Sequence, residues 1–212
     1  MQNKLTSELI FSQHKLIPVL VLNDITKAIP IAKALLEGGI KIIEVTLRTP
    51  NALNIIETLN HKIPEMLIGA GTVLNEDQYH LAVKHGAKFI VSPGLTHNLI
   101  QVSHNYDIPF IPGAITPTEI MSAIDNGLYN LKFFPAENYN GYAVLKSFLN
   151  IFPKVKFCPT GGINLDNAAK YLSLGNVAAI GCSFIVTDEL VKNNQFNQIT
   201  DLTKQALNLF SK

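Results

Sequence analysis

A lysine stands in an otherwise apolar and aromatic segment, Tyr129-Asn130-Leu131-Lys132-Phe133-Phe134-Pro135. If the segment is a strand, alternation puts Lys132 on the face of Phe134 and opposite Leu131 and Phe133. With Leu131 and Phe133 turned towards outer helices, Lys132 points inward. Burial penalises the charged form of an amine, and a neutral amine can attack a ketone carbon to begin imine chemistry. The bland alternative is a lysine that snorkels to solvent or serves a structural ion pair. A second segment shifts the balance. Glu44-Val45-Thr46-Leu47-Arg48 sets a carboxylate, a hydroxyl and a guanidinium on one face, with Val45 and Leu47 on the other. A local ion pair at a strand end would also explain Glu44 and Arg48, but three polar groups on one face of a charge-poor chain read as a lining. A carboxylate beside an imine-forming lysine can move protons, and arginine can fork onto a substrate carboxylate.

Other segments speak more softly. Gly69-Ala70-Gly71-Thr72 would let a backbone approach a ligand closely and offers the Thr72 hydroxyl, though tight strand–helix packing explains it as well. Ser92-Pro93-Gly94 and Pro112-Gly113-Ala114 are turn punctuation. Cys158 and Cys182 read as buried, inert thiols. The six histidines, His14, His61, His80, His85, His97 and His104, form no H-x-H or H-E-x-x-H pattern. No metal and no cofactor is expected.

The elements that must hold these groups alternate. Strand candidates are Leu16–Leu22, Lys41–Thr46, Met66–Ala70, Lys88–Ser92, Pro109–Ile111, Asn130–Phe134, Val155–Pro159 and Val177–Gly181. Amphipathic stretches lie between them: Ile25–Glu37 keeps Ile29, Ala32, Leu35 and Leu36 on one face, and Thr116–Asp125 and Asn164–Leu172 read alike. Gly38-Gly39, Gly86 and Gly127 should each end a helix before the next strand. Such alternation means parallel pairing, and eight units in 212 residues fit an α/β architecture, a (β/α)8 TIM barrel forming a single domain over residues 1–212. An N-terminal helix over Lys4–Phe11 would cap the barrel bottom. The last helix, Asp188–Leu209, should break around Asn193–Asn194.

Composition agrees. A hydrophobic fraction of 47% with 16% charged residues implies a large core. A net charge of +1 gives no pull towards nucleic acid or an anionic membrane. Two cysteines are too few for a secreted disulfide scaffold, the N-terminus lacks an uninterrupted apolar stretch, and Leu16–Leu22 is too short to span a bilayer. A soluble cytoplasmic protein with a small-molecule substrate is expected.

In barrels of this kind, chemistry sits at the C-terminal strand ends, and phosphate is often held by the loops after strands seven and eight. Those loops read Thr160-Gly161-Gly162-Ile163 and Gly181-Cys182-Ser183. Glycine lets backbone N–H groups come close, and Ser183 adds a hydroxyl donor. Two ordinary turns remain the alternative, made less attractive by their coincidence at these two strands.

Over nearly its whole length the chain resembles the bifunctional 2-keto-3-deoxy-6-phosphogluconate (KDPG) / 4-hydroxy-2-oxoglutarate (KHG) aldolase family. The matching segments are Ile17-Pro-Val-Leu, Glu44-Val-Thr-Leu-Arg48, Gly69-Ala-Gly-Thr-Val73, Ser92-Pro-Gly94, Ile111-Pro-Gly113, Lys132-Phe-Phe-Pro-Ala-Glu137 and Cys158-Pro-Thr-Gly-Gly162. The resemblance implies that Lys132 forms the Schiff base and that Glu44 accepts and donates protons. It implies that Arg48 and Thr72 hold the pyruvyl carboxylate, that Pro93 and Phe134 shape that pocket, and that Gly161, Gly162 and Ser183 contact phosphate. A homotrimer is also implied. Two departures stand out. The family often has Gly-Gly-Ser-Trp where this chain has Gly181-Cys182-Ser183-Phe184, and an arginine where this chain has Lys15-Leu16-Ile17-Pro18. Backbone donors survive the first change. Rival readings are a pyruvate aldolase for a galactonate-derived or unphosphorylated keto acid, an isomerase or epimerase on a phosphate-binding barrel, and an idle barrel that only binds sugar phosphates.

Overall fold

Three helices are followed, within two residues, by glycines that turn the chain back towards the sheet. In the computed structural model, which describes residues 4–209, Gly39, Gly86 and Gly127 have φ of 101°, 92° and 73°. Glycine enters this left-handed region without a Cβ clash. The strands are β1 (Leu16–Leu20), β2 (Ile42–Thr46), β3 (Leu67–Gly71), β4 (Phe89–Val91), β5 (Phe110–Ile111), β6 (Asn130–Phe133), β7 (Lys156–Pro159) and β8 (Ile180–Cys182). The helices are α1 (Ser7–Gln13), α2 (Ala28–Gly38), α3 (Ala52–Lys62), α4 (Glu76–Lys84), α5 (His97–Ser103), α6 (Pro117–Asp125), α7 (Gly141–Phe148), α8 (Leu165–Leu172), α9 (Asp188–Lys192) and α10 (Phe196–Asn208). This is the alternating α/β architecture that the sequence predicts.

Six strands form one parallel sheet in the order β5-β4-β3-β2-β1-β8, and β6 and β7 form a second parallel ladder. Isolated bridges lie between the two: Gly113 pairs with Lys132, Phe157 with Val177 and Thr160 with Gly181. Strands β1 and β2 are buried at every position, as expected of parallel strands covered on both faces.

Boundaries shift for local reasons. Strand β5 keeps only two residues because Pro109 and Pro112 flank it and cannot donate to a ladder. Strand β8 begins at Ile180 rather than Val177, since Val177 makes a lone bridge to Phe157 whereas the Ile180 N–H reaches the Lys15 carbonyl. Helix α1 starts at Ser7 because Thr6 caps it, its hydroxyl accepting from the Leu9 N–H at 3.1 Å. Asn130 then donates to the Ser7 hydroxyl, tying α1 to the start of β6. The expected break in the last helix separates α9 from α10, with Asn194 at φ 55°. Helix α10 packs against α2 so closely that a Cβ on Gly38 would lie 2.4 Å from Thr203 Cβ. No helix among the described residues is long and apolar enough to cross a membrane.

Candidate active site

Strand β6 positions Lys132 by the alternation that the sequence predicts. Leu131 and Phe133 are fully buried, with Phe133 edge-on to Phe157. Lys132 therefore faces the opposite way, and its Nζ lies 3.0 Å from Oε1 and 3.4 Å from Oε2 of Glu44 on β2. Lys132 is 4% exposed and Glu44 3%, so the pair is nearly sealed from water. The Phe134 ring lies beneath the amine, 5.5 Å from Nζ to its centroid. In such surroundings two opposite charges offset a desolvation cost that neither could bear alone.

The room for Glu44 comes from the neighbouring strand. A Cβ built on Gly71 would lie 2.1 Å from Glu44 Oε1, so the glycine leaves space for the carboxylate. Gly69 does the same for the Phe89 ring, whose nearest atom would sit 2.2 Å from such a Cβ. Both glycines thus make room for a side chain of the neighbouring strand. Gly71→Ala is expected to fold, yet to push the carboxylate from the amine and lower kcat at least about a hundredfold, in the range seen when a positioned acid–base group is lost. Steady-state assay beside a thermal melt checks this; full activity with an intact fold would refute the steric role.

Arg48 lies past the end of β2 and is exposed, with its Nε donating to Thr72 Oγ1 at 3.1 Å. That contact fixes the guanidinium and leaves its terminal nitrogens as a fork. Thr72 has φ 56°, a strained conformation for a β-branched residue that costs about 1–3 kcal/mol and tends to mark working sites. Arg48 is also the chain's only arginine beside sixteen lysines, a compositional sign that a planar fork is needed there. Thr46, placed by the sequence on the same lining face, is instead buried and donates to the Leu20 carbonyl at 2.9 Å. It serves the scaffold.

Pro93 is half-buried, and its carbonyl lies 2.1 Å from where a Gly113 Cβ would be. Gly113 in turn bridges Lys132, which brings the Pro93 loop beside the amine's strand. At the other flank the Thr160–Gly181 bridge starts the loops carrying Gly161, Gly162 and Ser183 side by side. Gly162 and Ser183 are exposed there. The peptide bond between Phe134 and Pro135 is cis.

Cys158 sits in register with Lys132 and Cys182 with Pro18; both thiols are free and buried. Burial pushes the Cys158 thiol from 9.0 up to about 12, against a smaller downward pull from the Lys132 charge, and burial raises Cys182 as well. The unfolded thiols thus lose protons first as pH rises, and stability falls from about pH 9 upward, with the Cys158 contribution lost progressively up to about pH 12. Ellman's reagent should find neither thiol in the native protein at pH 8 and both in denaturant. Rapid native labelling of either would contradict the burial. Among the described residues no three His, Cys, Asp or Glu side chains gather as a ligand set.

Residues 8–202 match the family model described as KDPG and KHG aldolase. The chain is 43% identical over 204 residues to the 2-dehydro-3-deoxy-phosphogluconate aldolase of Pseudoalteromonas atlantica, covering 96% of this chain and 95% of that one. It is 40% identical to the KHG/KDPG aldolase of Escherichia coli K12, covering 96% of each. A crystal structure of the KDPG aldolase of Legionella pneumophila, with pyruvate captured at low pH as a covalent carbinolamine intermediate, superposes with a TM-score of 0.92. It is 44% identical, over 94% of this chain and 97% of that one.

Proposed function

The chain belongs to the KDPG and KHG aldolase family, and from its site we propose that it cleaves 2-keto-3-deoxy-6-phosphogluconate to pyruvate and glyceraldehyde 3-phosphate through a Schiff base on Lys132. It is a lyase of the Schiff-base class. The observation that carries the assignment of roles is the sealed contact between the Lys132 amine and the Glu44 carboxylate.

Glu44 takes a proton from the amine along their hydrogen bond, and the neutral Nζ attacks the C2 ketone. Glu44 hands that proton to the carbinolamine hydroxyl, which leaves as water; an iminium, an electron sink, remains and Glu44 is again a carboxylate. Glu44, through a water, then removes the C4 hydroxyl proton. The C3–C4 bond breaks, its electrons form a pyruvate enamine on Lys132, and glyceraldehyde 3-phosphate leaves. Protonation at C3 by Glu44 and hydrolysis of the imine free pyruvate. Arg48 and Thr72 hold the pyruvyl carboxylate, Pro93 and Phe134 wall the pyruvyl pocket, and Gly161, Gly162 and Ser183 receive the phosphate. We extend the activity to 4-hydroxy-2-oxoglutarate, which splits to pyruvate and glyoxylate by the same steps. We also read the two ladders as one closed (β/α)8 barrel in a single domain, joined at its seams by the Gly113–Lys132 and Thr160–Gly181 bridges and capped at its base by α1. A cytoplasmic homotrimer completes the reading; light scattering should give about three times the 23.3 kDa chain mass.

A substrate panel assayed for pyruvate release tests the reaction. The 6-phosphogluconate-derived keto acid should react fastest, ahead of its galactonate epimer and of 4-hydroxy-2-oxoglutarate. No pyruvate from any of them would overturn the proposal.

A further inference from the structure

We infer that Asn167, on the first turn of α8, is a positioning residue that aims the backbone N–H groups of the Gly161–Gly162 loop at the substrate phosphate. The inference rests on the phosphate reading of Gly161, Gly162 and Ser183 above. Both glycines have positive φ, 97° and 79°, and glycine peptides can turn either way unless something anchors them. Here both carbonyls are anchored. Gly161 O accepts from the Glu137 backbone N–H at 3.1 Å, and Gly162 O accepts from Asn167 Nδ2 at 3.0 Å. In a trans peptide the carbonyl and the N–H point in opposite directions. The N–H of Gly162 therefore points away from Glu137, and the N–H of Ile163 away from Asn167. Among the described residues neither finds an acceptor. Successive N–H groups set free in this way form a concave anion seat.

A carboxamide at this position serves two partners. Asn164 caps α8, its side chain accepting from the Asp166 and Asn167 N–H groups, while Asn167 Oδ1 accepts from the Asn164 N–H at 2.8 Å. In such a reciprocal cap the third helical position is usually Glu or Gln. A Glu carboxylate would close the cap but could not donate to Gly162 O. The carboxamide does both, so one side chain couples the start of α8 to the loop. The opposite side is fixed too. A Cβ on Gly162 would lie 2.6 Å from Glu137 Cβ, and the Glu137 carboxylate accepts from the hydroxyl of Tyr171, also on α8.

The test compares kcat/KM for 2-keto-3-deoxy-6-phosphogluconate with that for 4-hydroxy-2-oxoglutarate in the parent, Ser183→Ala, Asn167→Ala and Asn167→Asp. Asn167→Asp keeps the cap acceptor, loses the donor and adds one negative charge; where Asn167→Ala does not fold, its loss counts for the inference only if it persists at high ionic strength, which screens the added charge. The ratio should fall about tenfold in either Asn167 variant, as one lost backbone anchor implies, through KM of the phosphorylated substrate. Equal losses on both substrates, or a ratio like the parent's, would overturn the positioning role alone. A parent with no preference for the phosphorylated substrate, unaltered by Ser183→Ala, would bring down the phosphate reading and this inference with it.

Discussion

Lys132→Ala should abolish pyruvate release, lowering kcat by at least about 10^4-fold, because no neighbouring group can replace the nucleophile in a covalent route. In the parent, incubation with pyruvate and borohydride should reduce the imine to an N-carboxyethyl group on Lys132 and destroy activity in step with its formation. Sixteen lysines compete for the label, so the site of the adduct is itself informative. Lys132 has a buried carboxylate 3.0 Å away to take its proton, so it should label ahead of the rest. Mapping the adduct by peptide mass spectrometry decides the matter. An adduct elsewhere, or rapid turnover by the Ala variant, would end the case for Lys132.

Much of that site was legible because strand alternation is local. Lys132 between Leu131 and Phe133, and Glu44 beside Val45, needed only a period of two to be placed. The break between α9 and α10 was legible too, from the adjacent asparagines. Other features depend on a partner that sequence order does not name. Gly71 looked like space for a ligand, but the atom filling that space belongs to the adjacent strand. Thr46 shares a face with Glu44, yet the turn of β2 against β1 gives its hydroxyl a carbonyl to satisfy. Ile180 opens β8 because Lys15 offers it a carbonyl across the ladder, which no local pattern in Val177-Ala178-Ala179 announces. The double duty of Asn167 was hidden for the same reason: a capping residue is visible in sequence, but its second bond goes to a loop whose shape is set by two left-handed glycines.

The buried pair also sets a conflict between stability and function that single and double substitutions can expose. Lys132→Met leaves Glu44 without its partner at 3% exposure, and stranding a buried charge in this way costs about 3–5 kcal/mol. Glu44→Leu should cost a similar amount by stranding the amine. Combining them puts two apolar side chains where two charges had been, and such replacement is commonly neutral or stabilising by about 1–4 kcal/mol. The double variant is therefore expected to melt at or above the parent's temperature while releasing no pyruvate, although each single variant melts well below it. Denaturant titration of the four proteins gives the coupling directly, since the residues touch and their effects cannot add. Single losses that simply summed in the double variant would mean that the two groups do not hold one another. The sealed contact would then lose its standing as the feature that keeps an amine and its base together for the reaction.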